Sequence, residues 1–255
     1  MIVIKTPEQI EKMRVTCRLA AETLNMIEPY VVPGVTTLEL NDRCHQYILD
    51  NGATPAPLNY RGFPKSICTS VNHQVCHGIP SDRKVRDGDI LNVDITTIVD
   101  GWHGDTSRTF HVGKPSPKGQ RIARIAKECL DLGMAEIKPG NHIGDIGAVI
   151  EAHARKSRCT VVQEYCGHGI GEKFHEEPAV LHYGRRGEGV EMRPGMIFTV
   201  EPMINLGKPH IKLLPDQWTV VTRDHSLSAQ YEHTILVTET GYQVLTDVDD
   251  AYAVS

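Results

Sequence analysis

The sequence predicts an α+β chain in which two pairs of helices pack over an antiparallel β-layer. Three observations predict it: an amphipathic segment opens each half, β-branched runs follow, and four features recur in the same order in both halves. Thr6, with Pro7 after it and Gln9 three residues on, is a helix-capping signature. The threonine hydroxyl can accept the N–H three residues ahead, and proline loses nothing in a first turn. Ile10, Met13, Cys17, Ala20, Leu24 and Ile27 then form one apolar stripe at helical spacing, and Leu38, Leu40, Cys44 and Ile48 mark a second helix. Strands are predicted over 90–99 and 102–112, joined at Asp100-Gly101. A two-residue turn there sets Val99 opposite Trp102 and Asp94 opposite Ser107. Ser116-Pro117 opens a third helix carrying Ile122, Ile125, Ala126, Cys129, Leu130 and Met134 inside, and Ile143, Ile146 and Ile150 mark a fourth. Further strands are predicted over 160–164, 196–204 and 230–238.

The repeat divides the chain at about 1–113 and 114–255. Val32-Pro33-Gly34 is answered by Lys138-Pro139-Gly140, and Cys76-His77-Gly78-Ile79 by Cys166-Gly167-His168-Gly169-Ile170. The strand ending in Asp94 is answered by the one ending in Glu201. One domain over 1–255, made of two pseudo-symmetric halves, is the expectation.

Composition narrows the function. With 40% apolar and 23% charged residues the 255-residue chain is neither disordered nor low in complexity. At this size it needs no disulfide or structural metal to fold, so a metal found here would be functional. A net charge of −5 and a pI near 6.2 argue against a nucleic-acid partner. No run approaches the ~18 apolar residues of a membrane span, and the start is too short in apolar residues for a signal peptide. A cytoplasmic protein without a membrane partner is expected. Seven cysteines, an odd number without a CxxC pair, read as reduced thiols.

The chemistry lies in acids that interrupt apolar strands. Asp94 falls inside Ile90-Leu91-Asn92-Val93-Asp94-Ile95, Glu201 ends Ile197-Phe198-Thr199-Val200, and Glu232 precedes Thr234-Ile235-Leu236-Val237. Aspartate is depleted from strands, and carboxylates are seldom buried unless paired or metal-bound. The hairpin register makes Asp105 the diagonal neighbour of Asp94 on one face, ~7–8 Å away between Cα atoms, so both side chains can converge on one ion. For Asp105 alone, a water-facing strand position explains it equally well; four acids on separate β-runs change the weighing. Four ionised carboxylates without counterions would repel and lose hydration, whereas two divalent cations neutralise them. With one imidazole added, the donor set suits Mn, Fe, Co or Zn.

Of thirteen histidines, His45, His142, His153, His182, His210 and His225 carry no local argument and are expected at the surface. His77, His168 and His175 lie beside glycine or in tight apolar turns, where the backbone can approach a ligand or metal.

Six segments together resemble the bacterial type I methionine aminopeptidases. They are Cys76-His77-Gly78-Ile79-Pro80, Gly104-Asp105-Thr106, Tyr165-Cys166-Gly167-His168-Gly169-Ile170-Gly171, Phe174-His175-Glu176-Glu177-Pro178, Thr199-Val200-Glu201-Pro202 and Ser228-Ala229-Gln230-Tyr231-Glu232-His233-Thr234. The resemblance implies the duplicated pita-bread fold and two divalent cations (Co, Mn, Fe or Zn) held by Asp94, Asp105, His168, Glu201 and Glu232, with Asp105 and Glu232 bridging. It implies catalytic roles for His77, His175 and Glu201: Glu201 shuttling a proton, His175 donating to the carbonyl oxygen and His77 meeting the scissile nitrogen. Tyr60, Phe63, Cys68, Phe174 and Trp218 would line a methionine pocket, by resemblance and by their soft, aromatic character. The implied reaction removes the initiator methionine of nascent, deformylated polypeptides near the ribosome exit when the second residue is small (Gly, Ala, Ser, Cys, Thr, Pro or Val). A monomer is implied. Pro57 and Phe63 stand where relatives often carry cysteine or tyrosine, which alters the pocket rim. Only 25 residues separate His175 from Glu201, too few for the insertion of type II enzymes, and no amino-terminal zinc-finger or ribosome-docking extension is expected. The rival readings are a proline-specific peptidase with the same ligands and a peptide-binding module that would have lost them.

Overall fold

The computed structural model describes residues 2–248, so Met1 and the end of the expected domain, 249–255, lie outside the described residues. The first half contains α1 (Pro7–Ile27), α2 (Thr37–Asp50), β1 (Thr54–Pro55), β2 (Cys68–Val71), β3 (Gln74–Cys76), β4 (Ile90–Val99) and β5 (Trp102–His111). The second contains α3 (Pro117–Ala135), α4 (Ile143–Lys156), β6 (Thr160–Val161), β7 (Gly167–Gly169), β8 (Glu176–Val180), β9 (Ile197–Val200) and β10 (Met203–Asn205). It closes with β11 (Ile211–Leu213), β12 (Val220–Thr222), β13 (Ser228–Gln230), β14 (His233–Val237) and β15 (Tyr242–Val244).

The capping chemistry acts as its residue types dictate. Thr6 Oγ1 accepts from the Gln9 N–H at 3.3 Å while Gln9 Oε1 accepts from the Thr6 N–H at 3.0 Å, and Ser116 Oγ accepts from the Gly119 N–H at 3.0 Å. Each helix pair buries its stripe against its own half. Leu19, Leu24, Leu40, Cys44 and Ile48 pack with Leu91, Val93 and Ile95, whereas Ile122, Leu130, Ile146 and Ile150 pack with Phe198, Val200 and Ile235. Met13 and Cys17 of α1 reach across to Ile197 and Leu236, joining the two cores.

The β-layer is antiparallel and divided among four ladders: β1-β4-β2 with β5 on β4, β13-β10-β6, β11-β12-β3, and β15-β14-β9-β7-β8. The β4–β5 hairpin turns on Asp100 (φ 48°) and Gly101 (φ 83°), both in the left-handed region that a two-residue turn requires. Its register sets Val99 opposite Trp102, Asp94 opposite Ser107 and Thr96 opposite Asp105. Two predicted strands are interrupted. The 196–204 run breaks between β9 and β10 at Glu201-Pro202, and the 230–238 run breaks between β13 and β14 at Tyr231-Glu232. Pro202 has no N–H for a ladder, and the N–H of Glu201 is taken by His182 Nε2 at 3.1 Å. The Glu232 N–H instead donates to Ser107 O at 3.0 Å, forming a single bridge to β5. The run over 160–164 keeps only its first two residues as strand.

Candidate metal centre and pocket

Asp94, Asp105, His168, Glu201 and Glu232 line one cavity of about 450 Å³ together with His77, His175, Tyr60, Phe63, Cys68, Phe174 and Trp218. The acids reach it by different routes. Asp94 and Asp105 point from one face of the hairpin, and Thr96 Oγ1 donates to Asp105 Oδ1 at 2.8 Å. Glu201 and Glu232 project from the two strand breaks. Thr199 Oγ1 donates to Glu201 Oε1 at 2.8 Å, and Gln230 Nε2 donates to Glu201 Oε2 at 3.1 Å. Glu232 is fixed by its backbone, since its carbonyl accepts from Thr106 Oγ1 at 2.8 Å. Asp105 and Glu232 are the deepest, 4% and 2% exposed, while Asp94 and Glu201 are half-buried and face the cavity.

His168 enters on β7. Its Nδ1 lies 3.0 Å from Gly169 O; a carbonyl can only accept, so Nδ1 carries the proton and Nε2 turns a lone pair to the acids. That Nε2 lies 3.8 Å from Asp105 Oδ2 and 3.7 Å from Glu201 Oε1. These separations are too long for hydrogen bonds but fit donors sharing a cation, which at ~2.0–2.2 Å per ligand can stand up to roughly 4 Å apart. Asp94, Asp105 and Glu232 each offer an oxygen within 4.8 Å of the others. Without a cation this is a cluster of like charges facing a lone pair. Among the described lining residues the only basic group besides histidine is Arg61, which is exposed at the rim.

The electrostatics state the same need. In the metal-free chain, burial pushes Asp94 up to about 7 and Glu201 up to about 8. Burial first, then the neighbouring carboxylates, drives Asp105 and Glu232 well above the ordinary range. Burial lowers His168 to about 4, so its imidazole is neutral at physiological pH and able to donate its lone pair. The residues present therefore fit a divalent-metal centre.

The glycines beside His168 serve a different purpose from close approach to a metal. A Cβ on Gly167 would run into the carbonyl oxygen of Thr199, and one on Gly169 into that of Glu177. They let β7 lie tightly between its neighbouring strands. His77 is held at φ 55°, a left-handed backbone, with its ring edge-on to Tyr165 at 5.4 Å. His175 stacks on Phe174 at 4.4 Å, and Tyr60 packs on Phe174 at 5.0 Å. Phe63, 2% exposed, meets Trp218 edge to face at 5.1 Å.

Of the histidines expected at the surface, His182 departs furthest. His182 is fully buried, burial lowers it to about 3, and its neutral ring accepts the Glu201 N–H. The sequence holds a signal for this: the inward alternation of Pro178 and Val180 in β8 continues to His182. His45 and His153 are half-buried, bonded to Ser66 and Glu128, and His142 caps α4; His210 and His225 are exposed. Thr96, Thr199 and Gln230, the partners of the acids, carry no sequence signal, because a hydroxyl or amide in a strand has no distinctive pattern until its neighbour is known.

Comparison with known proteins agrees with this arrangement. The model of metallopeptidase family M24 matches residues 11–239. A methionine aminopeptidase of Escherichia coli K12 is 57% identical over 247 residues, covering 96% of this chain and 94% of that protein. The crystal structure of methionine aminopeptidase from Rickettsia prowazekii superposes with a TM-score of 0.96 at 52% identity, covering 97% of this chain and 100% of that one. A prolidase from Pyrococcus furiosus shares the fold at a TM-score of 0.75 and 22% identity, with 65% of its own length covered. Acids on interrupted strands, a neutral imidazole and an aromatic-walled cavity thus stand on a scaffold common to these proteins, and the chain belongs to metallopeptidase family M24, on the side of its methionine aminopeptidases.

Proposed function

We propose that this chain is a dinuclear metallo-aminopeptidase that removes the amino-terminal methionine of nascent, deformylated polypeptides when the second residue is Gly, Ala, Ser, Cys, Thr, Pro or Val. The observation that carries the reading is one cavity in which a five-donor acidic centre adjoins a wall of Tyr60, Phe63, Cys68, Phe174 and Trp218. Asp94, Asp105, His168, Glu201 and Glu232 would hold two divalent cations, with the two deepest acids, Asp105 and Glu232, in the shared positions. When bound, such cations supply Lewis acidity toward a peptide carbonyl and make water more acidic. The chain's own groups do the rest. Glu201, oriented through both oxygens by Thr199 and Gln230, takes a proton from the attacking water and returns it to the leaving amine. His175 donates to the carbonyl oxygen as negative charge develops there. His77, locked by its left-handed backbone, meets the scissile nitrogen. The aromatic wall and the Cys68 thiol bind the thioether and exclude water. One domain, acting as a monomer in the cytoplasm near the ribosome exit, completes the reading.

Selectivity for a small second residue follows from crowding. His77, His175 and Phe174 stand beside the reacting bond, and a bulky side chain would displace the carbonyl; about 1 Å of misplacement costs on the order of a hundredfold in rate. The test is hydrolysis of a Met-Xaa-Met-Met series by the metal-loaded protein, with and without chelator. kcat/KM should fall with the size of Xaa irrespective of charge, and chelation should abolish turnover. A profile ordered by charge, a strict requirement for proline, or efficient cleavage of the formylated peptide would overturn the reading.

A further inference from the structure

We propose that Tyr60 is a positioning residue: its hydroxyl donates to Nδ1 of His175 and holds that ring in the tautomer whose Nε2–H faces the substrate carbonyl. The inference rests on the methionine-removal reading of the same cavity and adds a link between the pocket wall and the reacting bond. Tyr60 Oη lies 2.9 Å from His175 Nδ1. A neutral imidazole carries one ring proton and the phenol carries one. If Nδ1–H donated to Tyr60, Nε2 would present a lone pair to an oxygen gaining negative charge, which repels it. If the phenol donates, Nε2 carries the proton where a donor is needed. The outer edge of His175 is exposed, while its inner face packs 4.3 Å from the His168 ring, ring centre to ring centre.

The backbone around Tyr60 is built to deliver this contact. Asn59 (φ 66°), Arg61 (φ 49°) and Gly62 (φ 88°) all lie in the left-handed region, which is strained above all for the Arg61 side chain. The turn is closed on itself: the Asn59 N–H donates to Phe63 O at 2.8 Å and the Phe63 N–H to Tyr60 O at 2.9 Å. Such strain persists only where the surroundings over-determine it, and here it aims one ring at the cavity. The Arg61 guanidinium sits 5.3 Å from the centre of the Tyr60 ring, where a cation strengthens the phenol as a donor. The Tyr60 ring packs 5.0 Å from Phe174, which itself stacks on His175, so the methionine-side wall and the proton donor form one unit.

A double-mutant cycle tests the link. In the metal-loaded protein Tyr60→Phe keeps the ring and should lower kcat about fivefold, with KM changed less than twofold. His175→Ala should lower kcat about a hundredfold. The double variant should fall no further than His175→Ala alone, since Tyr60 then has nothing to orient. Multiplied losses, or a Tyr60→Phe effect confined to KM, would make Tyr60 a pocket wall only and overturn the inference while leaving the functional reading intact. Absence of methionine release by the parent protein would instead defeat that reading. A second readout does not depend on turnover. In zinc-loaded, 15N-histidine-labelled protein, the ring signals missing from His175→Ala identify His175. They should show Nδ1 unprotonated and Nε2 protonated, shifting to a tautomer mixture in Tyr60→Phe. A protonated Nδ1 in the parent would overturn the proposal.

Discussion

Asp94 and Asp105 leave an unbroken hairpin of two ten-residue strands, whereas Glu201 and Glu232 stand at breaks between strands. In the first half the ladder itself aims the carboxylates, and a short side chain suffices because the backbone is already in place. In the second half the backbone departs from the ladder and is caught by unrelated groups: the Glu201 N–H by His182, the Glu232 N–H by Ser107. The longer glutamate is then steadied at its tip, at least for Glu201, by Thr199 and Gln230. One half places its carboxylates by regular pairing and the other by a set of single bonds. The second arrangement should fail more easily, and at more positions, than the first.

The largest expected effect tests the depth of the centre rather than its halves. Asp105→Asn should remove more metal and more activity than His168→Ala, with kcat/KM down at least about a hundredfold, because Asp105 is nearly inaccessible and would serve two ions while His168 would serve one. Equal metal content by mass spectrometry in the two variants would remove the distinction.

Next in size is the response of the metal-free chain to pH. Asp94 and Glu201 titrate near 7 and 8 in the folded chain but near 4 when unfolded. The stability tied to their neutral forms is therefore fully present below pH 4 and is lost as the pH rises through about 7 and 8. Stability should therefore fall as the pH rises through the interval between the unfolded and folded values. Thermal or urea unfolding should show the metal-free protein weakening from pH 5 to 8, and the metal-loaded protein should resist that decline because binding favours the ionised acids. Parallel curves for the two forms would contradict a cation-compensated cluster.

The smallest effect compares the halves directly. Thr96→Val removes one donor from Asp105 and should cost about 1 kcal/mol of stability. Thr199→Val removes the donor to Glu201 Oε1 and also the acceptor of the His168 N–H at 3.0 Å, leaving a backbone donor unpaired; about 2–3 kcal/mol and a larger loss of metal affinity are expected. Equal costs by calorimetry and metal titration would mean that the second half is no more dependent on single bonds than the first.

Legibility in the sequence follows the same division. The hairpin register could be read because a two-residue turn fixes every pair that follows it, and helix starts could be read because capping partners lie three residues apart. The break at Glu201 has a local sign in Pro202, but the groups that catch the freed N–H donors of Glu201 and Glu232, His182 and Ser107, lie outside those strands and could not be read from them. The burial of His182 was half-visible in its alternation with Val180, yet its acceptor role depends on the Glu201 backbone. The purpose of the glycines around His168 is not legible locally, because Thr199, whose carbonyl presses on Gly167, is remote in sequence. Local rules carried the first half of the site and ran out at the seam.

The bridge between Ser107 and Glu232 has a consequence in time. The five candidate ligands extend from position 94 to position 232, and the final one is held by a strand made more than a hundred residues earlier. A chain still being synthesised, however well its first helices and hairpin have formed, holds two acids on one face of that hairpin and nothing to complete the set. Such long-range closure is slow relative to hairpin formation. Metal uptake and the first turnover should therefore coincide with release of a nearly complete chain, so that a truncated product of this gene is inert rather than a stray hydrolase.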